Sequence, residues 1–502
     1  MPVASAPTCG NPPTSSGGPK GARSSCRSAG PGFGPIVLAN GRVVDLETGL
    51  IETADVVVRD GFIEEIGRFG AAPREAGALV LDLKGAWLIP GLVDAHAHLL
   101  GTVDGPLTPE QTRSRLMAYL QAGVTTIRDA GARDLAVLQL AATTPAPQIY
   151  ASGRPIRHSS SVEESVSAAR SNAEAGAAWL KAYELDPLEL AGVLELGRAA
   201  GVRVGAHLGN DPSECLALGL KAVEHVYTLI RHDLVPYELR QASWIPAADR
   251  PVATWFLTDA EASWATGWYE SVGARRPFVT STLSVMEALK GRHESVDCDR
   301  GQAEARWAST GLPARWQARL QSWGWWDLGP DSSRDLRDQA FENICRTSWH
   351  LAAVGCRICL GTDFGEPLIE PGVGVLSEMK LLHAAGFSTL DVLRSATCTP
   401  ADLLGLSGAL GTLTVGARAD AVAVAGNPLE SLEALSAPLL VMAAGDVVVD
   451  RRVGSPESRG VHVTLEPAAS GPPLSQQKIS LVEGPGRLTS SARTVESGMS
   501  RR

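Results

Sequence analysis

Long apolar runs are missing from this 502-residue chain. No stretch reaches the roughly 18 residues that a membrane helix needs, so no membrane span and no membrane partner are expected. An excess of basic charge is also missing. Lys and Arg number 45 against 55 Asp and Glu, a net charge of -10 that argues against nucleic acid as the main partner. Cysteine is sparse: eight residues lie scattered at positions 9, 26, 215, 298, 345, 356, 359 and 398. That scatter excludes a disulfide framework and suits reduced thiols in the cytoplasm. Cys356 and Cys359 fall on an expected strand, where positions three apart face opposite sides, so they do not share a metal. The N-terminus lacks the apolar segment of a signal peptide. Aromatic residues make up only 5%, yet Trp is abundant within that share, with 12 residues.

What remains is the composition of a globular enzyme, 44% hydrophobic and 20% charged. The length suits a barrel-sized core plus a second domain. Residues 1–34 and 456–502 are rich in Gly, Pro, Ser and Ala and read as disordered tails. Residues 35–90 carry β-branched runs closed by Asn40-Gly41 and Asp60-Gly61, which are hairpin signals. A similar set returns at 406–455, with Ala421–Val424, Leu439–Asp446 and Val447–Val449 around the Asn427-Pro428 turn. Both flanks together predict one small β-sandwich. Residues 91–405 then form an inserted domain with eight apolar strand candidates. These are Leu92–His98, Thr125–Arg128, Gln148–Ala151, Trp179–Tyr183, Arg203–His207, Ala222–His225, Phe278–Ser281 and Cys356–Gly361. Helical stretches such as Glu163–Ala175 and Pro187–Ala200 separate most of them. That alternation predicts an α/β fold, a (β/α)8 TIM barrel. Its chemistry belongs at the strand C-terminal ends.

Ligand-type residues fall at those ends. Asp94-Ala95-His96-Ala97-His98 places two imidazoles on one side of a strand, because residues two apart point the same way. Neutral imidazole is a common ligand for zinc and similar metals. Lys181 follows Trp179-Leu180, His207 and His225 end their strands, and Asp363 follows Leu360-Gly361-Thr362. Singly, each has an ordinary reading: a snorkelling lysine, a rim histidine, a turn-capping aspartate. Together, in register at strands 1, 4, 5, 6 and 8, they read as one metal site.

These motifs resemble the amidohydrolase superfamily, in the branch of imidazolonepropionase-like proteins and binuclear Xaa-Pro dipeptidases. The resemblance covers roughly residues 35–455 and rests on Pro90–His98, Glu224-His225, Gly361-Thr362-Asp363, Ala396–Ala401 and Gly411–Asp420. It implies two divalent metal ions, zinc by ligand type although N/O ligands also suit Mn, Co or Fe. His96 and His98 with Asp363 would hold the first, and His207 and His225 the second. Lys181, carboxylated by CO2, would bridge them. A metal-bridging hydroxide would attack an amide carbonyl, with Asp363 as general base and then general acid. Tyr227 would donate to the developing oxyanion; a packed rim aromatic is its other reading. His158 follows strand 3 and would touch the substrate, although Gly153-Arg154-Pro155-Ile156-Arg157-His158 departs from the Gly-Gly-His pattern of the branch. Arg154 and Arg157 offer a seat for a substrate carboxylate, or are simply solvated.

The expected activity is hydrolysis of a non-ester C–N bond in a small molecule, such as an N-acyl amino acid, dipeptide or cyclic amide. A mononuclear deaminase or imidazolone-type hydrolase is the alternative. Asn210, where many deaminases carry Glu, weighs against it, as does Lys181. A catalytically inactive scaffold is a third reading, and a homo-oligomer stays open. Asp363 follows His225 by 138 residues, whereas two β/α units need roughly 60. The excess lies at about 231–345 and holds nine Trp between Trp244 and Trp326. It reads as an aromatic lid, as a helical subdomain with its own Trp core, or as a dimer contact.

Overall fold

Flanking strands from both ends of the chain meet in one sheet. The computed structural model describes residues 34–68, 70, 77–100, 107–131, 135–142, 145–209, 211–230, 263–290, 314, 316 and 334–452. Strands β1 (Ile36–Val44), β2 (Ile51–Arg59), β3 (Phe62–Arg68), β4 (Leu79–Asp82) and β5 (Trp87–Pro90) come from the first flank. From the second flank come β15 (Ala421–Val424), β16 (Leu440–Ala443) and β17 (Asp446–Asp450). They pair in the order β17-β16-β15-β5-β1-β2-β3, with β4 beside β1. β5 and β15 make the junction, antiparallel, with Pro90 opposite Ala421 and Trp87 opposite Val424. Leu38, Val56, Val58, Ile63, Leu88, Ala423, Leu440 and Met442 share one buried cluster, so both flanks contribute to the same small core.

The intervening chain builds two parallel sheets. The first is β6 (Leu92–Ala97), β7 (Val124–Asp129) and β8 (Gln148–Ala151). The second holds β9 (Ile156–Arg157), β10 (Trp179–Tyr183), β11 (Arg203–His207), β12 (Ala222–Glu224), β13 (Phe278–Thr280) and β14 (Arg357–Cys359), in that order. Every residue of β6 and β7 is buried, as expected of parallel strands covered on both faces. Backbone hydrogen bonds connect the two sheets. Ala95 N donates to Leu360 O at 2.9 Å and Asp363 N to His96 O at 2.8 Å. At the other side, Ala178 N donates to Ala151 O at 2.8 Å. The arrangement is α/β and TIM-barrel-like. All eight strands expected in this region are present, and the two-residue β9 is an addition.

The helices alternate with these strands. They are α1 (Pro109–Gln121), α2 (Ala136–Ala141), α3 (Val162–Glu174), α4 (Pro187–Ala200) and α5 (Pro212–Ala217). Then come α6 (Ser263–Gly273), α7 (Leu283–Lys290), α8 (Arg334–Ala353), α9 (Val373–Ala384), α10 (Thr389–Ser395) and α11 (Cys398–Leu404). Their ends follow capping chemistry. Asp186 caps α4 by accepting from Leu188 N and Glu189 N, Glu189 completes the capping box, and Gly201 closes the helix at φ 68°. No helix among the described residues is long and apolar enough to cross a membrane.

The residues read as tails, and most of the Trp-rich insertion, lie outside the described residues. Trp316 is 1% exposed and belongs to the main core, and Trp268 packs against that core. These two thus pack with the core of the parallel sheets, not with a separate Trp core. Cys356 and Cys359 are both free and buried.

Candidate metal centre

The site lies where five of the parallel strands end. β6 brings His96 and His98, β10 brings Lys181, and β11 ends at His207. His225 follows β12 directly, and Asp363 lies beyond β14. The Asp363 carboxylate is the point of convergence. Its Oδ1 is 3.2 Å from His96 Nε2 and 3.2 Å from His98 Nε2. Its Oδ2 is 3.9 Å from His225 Nδ1. His96, His225 and Asp363 offer ligand atoms all within 4.8 Å of one another, and all three residues are buried.

His207 continues the cluster. Its ring centroid is 5.0 Å from that of His225, and it stacks on Tyr183 at 4.4 Å. Tyr227 stacks on His225 at 5.1 Å with planes 19° apart and is 8% exposed. Lys181 is 2% exposed, an unusual place for an ammonium. Burial lowers its pKa to about 8, although Glu224 and Asp363 pull the other way. The structure thus gathers six sequence-predicted positions around one point. His158 makes its contact elsewhere. Its Nδ1 is 2.6 Å from Glu189 Oε2, on α4, and its side chain is largely exposed.

Backbone strain marks the same rim. His225 has φ 67° and Asp363 φ 58°, with Glu184 at 54° and Thr282 at 50°. Each such residue costs on the order of 1–3 kcal/mol, so surrounding structure must hold it there.

A second layer aims the ligands, and sequence reading found little of it. His96 Nδ1 is 2.6 Å from Glu224 Oε2, which leaves Nε2 facing Asp363. Glu224 also accepts from Arg128 Nη2 at 2.8 Å and from Thr280 Oγ1 at 3.0 Å. Arg128 donates to Ala95 O and lies 3.3 Å from the centre of the Trp179 ring. His98 Nδ1 is 2.9 Å from Gly131 O, so that nitrogen carries the proton and Nε2 is free to ligate. His225 Nδ1 is 2.9 Å from Thr282 Oγ1. Glu378 of α9 in turn fixes the turn around Thr282. It accepts from Ser281 Oγ, Leu283 N, Ser284 N and Ser284 Oγ, and burial still raises its pKa to about 7. Asp94 serves the framework. It accepts from Thr362 N, Thr362 Oγ1, His96 N and the Tyr119 hydroxyl, which holds β6 to the segment bearing Asp363.

The space beneath the site is filled. A Cβ on Gly205 would lie 2.5 Å from Glu224 Oε1, 2.6 Å from Arg128 Nη2 and 3.0 Å from the Trp179 ring. Gly205→Ala is therefore expected to wedge this ion pair apart and to destabilise the fold by about 1–3 kcal/mol. Urea unfolding checks this; an unchanged midpoint would show that the pair shifts freely.

The electrostatics suit a cation. Burial pushes the Asp363 carboxyl up, but the imidazoles packed around it, with hydrogen bonds from His96 and His98, outweigh burial and hold it well below the usual carboxylate range. Glu224 stays ionised in the same way, with Arg128, Lys181 and His96 opposing its burial. Burial brings His207 down to about 3 and His225 well below its ordinary value, so both are neutral imidazoles with lone pairs to offer. Burial lowers the His98 pKa, but its contacts with Asp363, the Gly131 carbonyl and Asp129 together outweigh burial and raise it. His96 Nε2 and His207 Nδ1 are buried without a hydrogen-bond partner. Orphaned buried imidazole nitrogens beside an ionised carboxylate are the donor set a divalent metal requires. The residues present fit the group.

Comparison with known proteins agrees. The sequence pattern of the amidohydrolase family matches residues 87–238 and 340–448. The chain belongs to the amidohydrolase family, a class of metal-binding hydrolases. A dihydroorotase of Pelobacter propionicus is 44% identical over 64 residues, a stretch that spans 13% of this chain and 15% of that enzyme. A prolidase solved with N-methylphosphonate-L-proline is similar in fold, with a TM-score of 0.60 at 20% identity, over 84% of this chain and 100% of that one. So is the ochratoxinase of A. niger, with a TM-score of 0.59 at 18% identity, over 84% and 97%.

Proposed function

We propose that this protein hydrolyses an amide C–N bond in a small molecule such as an N-acyl amino acid, a dipeptide or a cyclic amide. The observation that carries this reading is the convergence of His96, His98 and His225 on the ionised Asp363, with Lys181 buried alongside. The prolidase and ochratoxinase likenesses support it. In this reading the two parallel sheets close as one (β/α)8 barrel, the flank sheet is its β-sandwich companion, and the protein is cytoplasmic.

His96, His98 and Asp363 would hold one divalent ion and His207 and His225 a second, with zinc favoured by the ligand types. Such ions supply Lewis acidity for a substrate carbonyl and lower the pKa of water. Lys181 fits the bridge because its lowered pKa, about 8, gives it a far larger share of neutral amine near neutral pH than an ordinary lysine has. The amine nitrogen adds to CO2 and loses a proton, giving a carbamate anion in place of an ammonium. Asp363, held ionised, takes the proton of the attacking water and returns it to the leaving nitrogen. Tyr227 keeps its proton, since burial and Asp363 raise its pKa far above 10.0. Its hydroxyl can therefore donate to the developing oxyanion.

Metal content tests this reading. Protein grown with zinc and bicarbonate is expected to hold two ions per chain, and Lys181→Ala to lose one or both. A single ion, indifferent to Lys181, would overturn the bridged site and favour one-metal deaminase chemistry.

A further inference from the structure

One row of side chains leads outward from the metal centre. Arg157 on β9, Tyr183 on β10 and His207 on β11 are register partners across three parallel strands. Register partners in a parallel sheet project from the same face. Lys181 lies two residues before Tyr183 and shares its face, and Lys181 is turned into the buried site. The whole row therefore faces the site, at the level of the strand ends. Tyr183 stacks on His207 with ring centroids 4.4 Å apart and planes 24° apart. The Arg157 guanidinium lies over the Tyr183 ring at 4.3 Å. Arg157 itself is exposed. It is thus a cation held in place by an aromatic seat, one ring further out than a candidate metal ligand. The guanidinium also hydrogen-bonds the Tyr183 side chain, and with five N–H donors in a planar fork it keeps others to offer a carboxylate.

We infer that Arg157 is a specificity-determining residue that receives a carboxylate on the substrate. The amides cleaved here then carry a free carboxylate close to the scissile bond, as N-acyl amino acids and dipeptides do. In such molecules the carboxylate carbon lies three bonds beyond the scissile carbonyl carbon. A carbonyl placed at His207 and His225 would then direct the carboxylate along the row toward Arg157. Glu184, whose carboxylate is 3.7 Å from His207 Nε2, stands on the same rim, already shares the Arg157 charge and would repel further anions. One carboxylate, not a polyanion, fits this mouth. This inference rests on the hydrolase reading given above.

The test is calorimetric binding of N-benzoylglycine and of its carboxamide, N-benzoylglycinamide, to the full zinc-loaded chain. The parent is expected to prefer the acid by roughly tenfold to a hundredfold, the range for a hydrogen bond to a charged group. Arg157→Met, which keeps the stem on an exposed residue, is expected to weaken the acid by that factor and leave the carboxamide unchanged. Arg157→Lys is expected to restore part of the preference. No preference in the parent, an unchanged preference in Arg157→Met, or equal losses for both probes would overturn the inference. Probes bound with the expected preference but cleaved by no variant would instead count against the hydrolase reading and leave Arg157 in its role.

Discussion

Asp363→Asn is expected to lower amide turnover by about 10²- to 10⁴-fold, the usual contribution of a positioned general base, while the chain stays folded. The substitution is nearly isosteric. It also respects the backbone: Asp363 sits at φ 58°, in the left-handed region that Asn, like Asp, tolerates better than other residues. What it removes is the negative charge against which His96, His98 and His225 are arrayed. An amide cannot take a proton from water and pass it to a leaving nitrogen. It is also a poorer ligand, so metal content should fall together with rate. Two readouts keep these effects apart. Elemental analysis reports the ion, and turnover at saturating zinc reports the proton transfer. A variant as active as the parent at saturating zinc would remove Asp363 from the chemistry, whatever its metal content.

Much of this candidate site was legible in the sequence because each candidate ligand lies in or just after the last few residues of a short apolar strand. A polar residue at such a boundary stands out, and parallel strands bring boundaries to one end of the fold. His96, His98, Lys181, His207, His225 and Asp363 were all visible this way. The residues that aim them were not. Arg128 lies near the end of its strand as Lys181 does, yet its partner Glu224 is 96 residues away. Only the meeting of the two parallel sheets, one carrying β7 and the other β12, brings them together. Positive φ at His225 and Thr282 likewise leaves no mark on residue type. The flanks show the same division. Hairpin signals announced strands, but the pairing of β5 with β15, which stitches the two ends of the chain into one sheet, depends on a partner more than 300 residues away in sequence. His158 shows another gap: its position after strand 3 suggested substrate contact, and nothing in the sequence announced the bond to Glu189 that ties that loop to the start of α4.

Arg128→Met is expected to be the most destabilising of the changes considered, by about 3–5 kcal/mol. The residue is 2% exposed, and its guanidinium bridges Glu224, the Ala95 carbonyl and the Trp179 ring. Methionine keeps most of the stem volume, so packing alone predicts a small loss. The large loss comes from what is left behind, a fully buried Glu224 carboxylate without its counter-charge. Urea unfolding should show a lower midpoint with an unchanged slope. The double variant, Arg128→Met with Glu224→Gln, is the decisive comparison. With the orphaned charge gone, most of the stability should return, and the departure from additivity measures the pair directly. Metal binding should not return with it. The neutral amide that Glu224→Gln introduces would no longer give His96 Nδ1 an anionic partner, and loss of such a partner typically weakens affinity by about 10–100-fold. Stability restored without metal affinity would separate the two roles of Glu224: counter-ion to Arg128, and the group that orients His96. A double variant as unstable as Arg128→Met would mean that packing over Trp179, and not charge, is what Arg128 supplies.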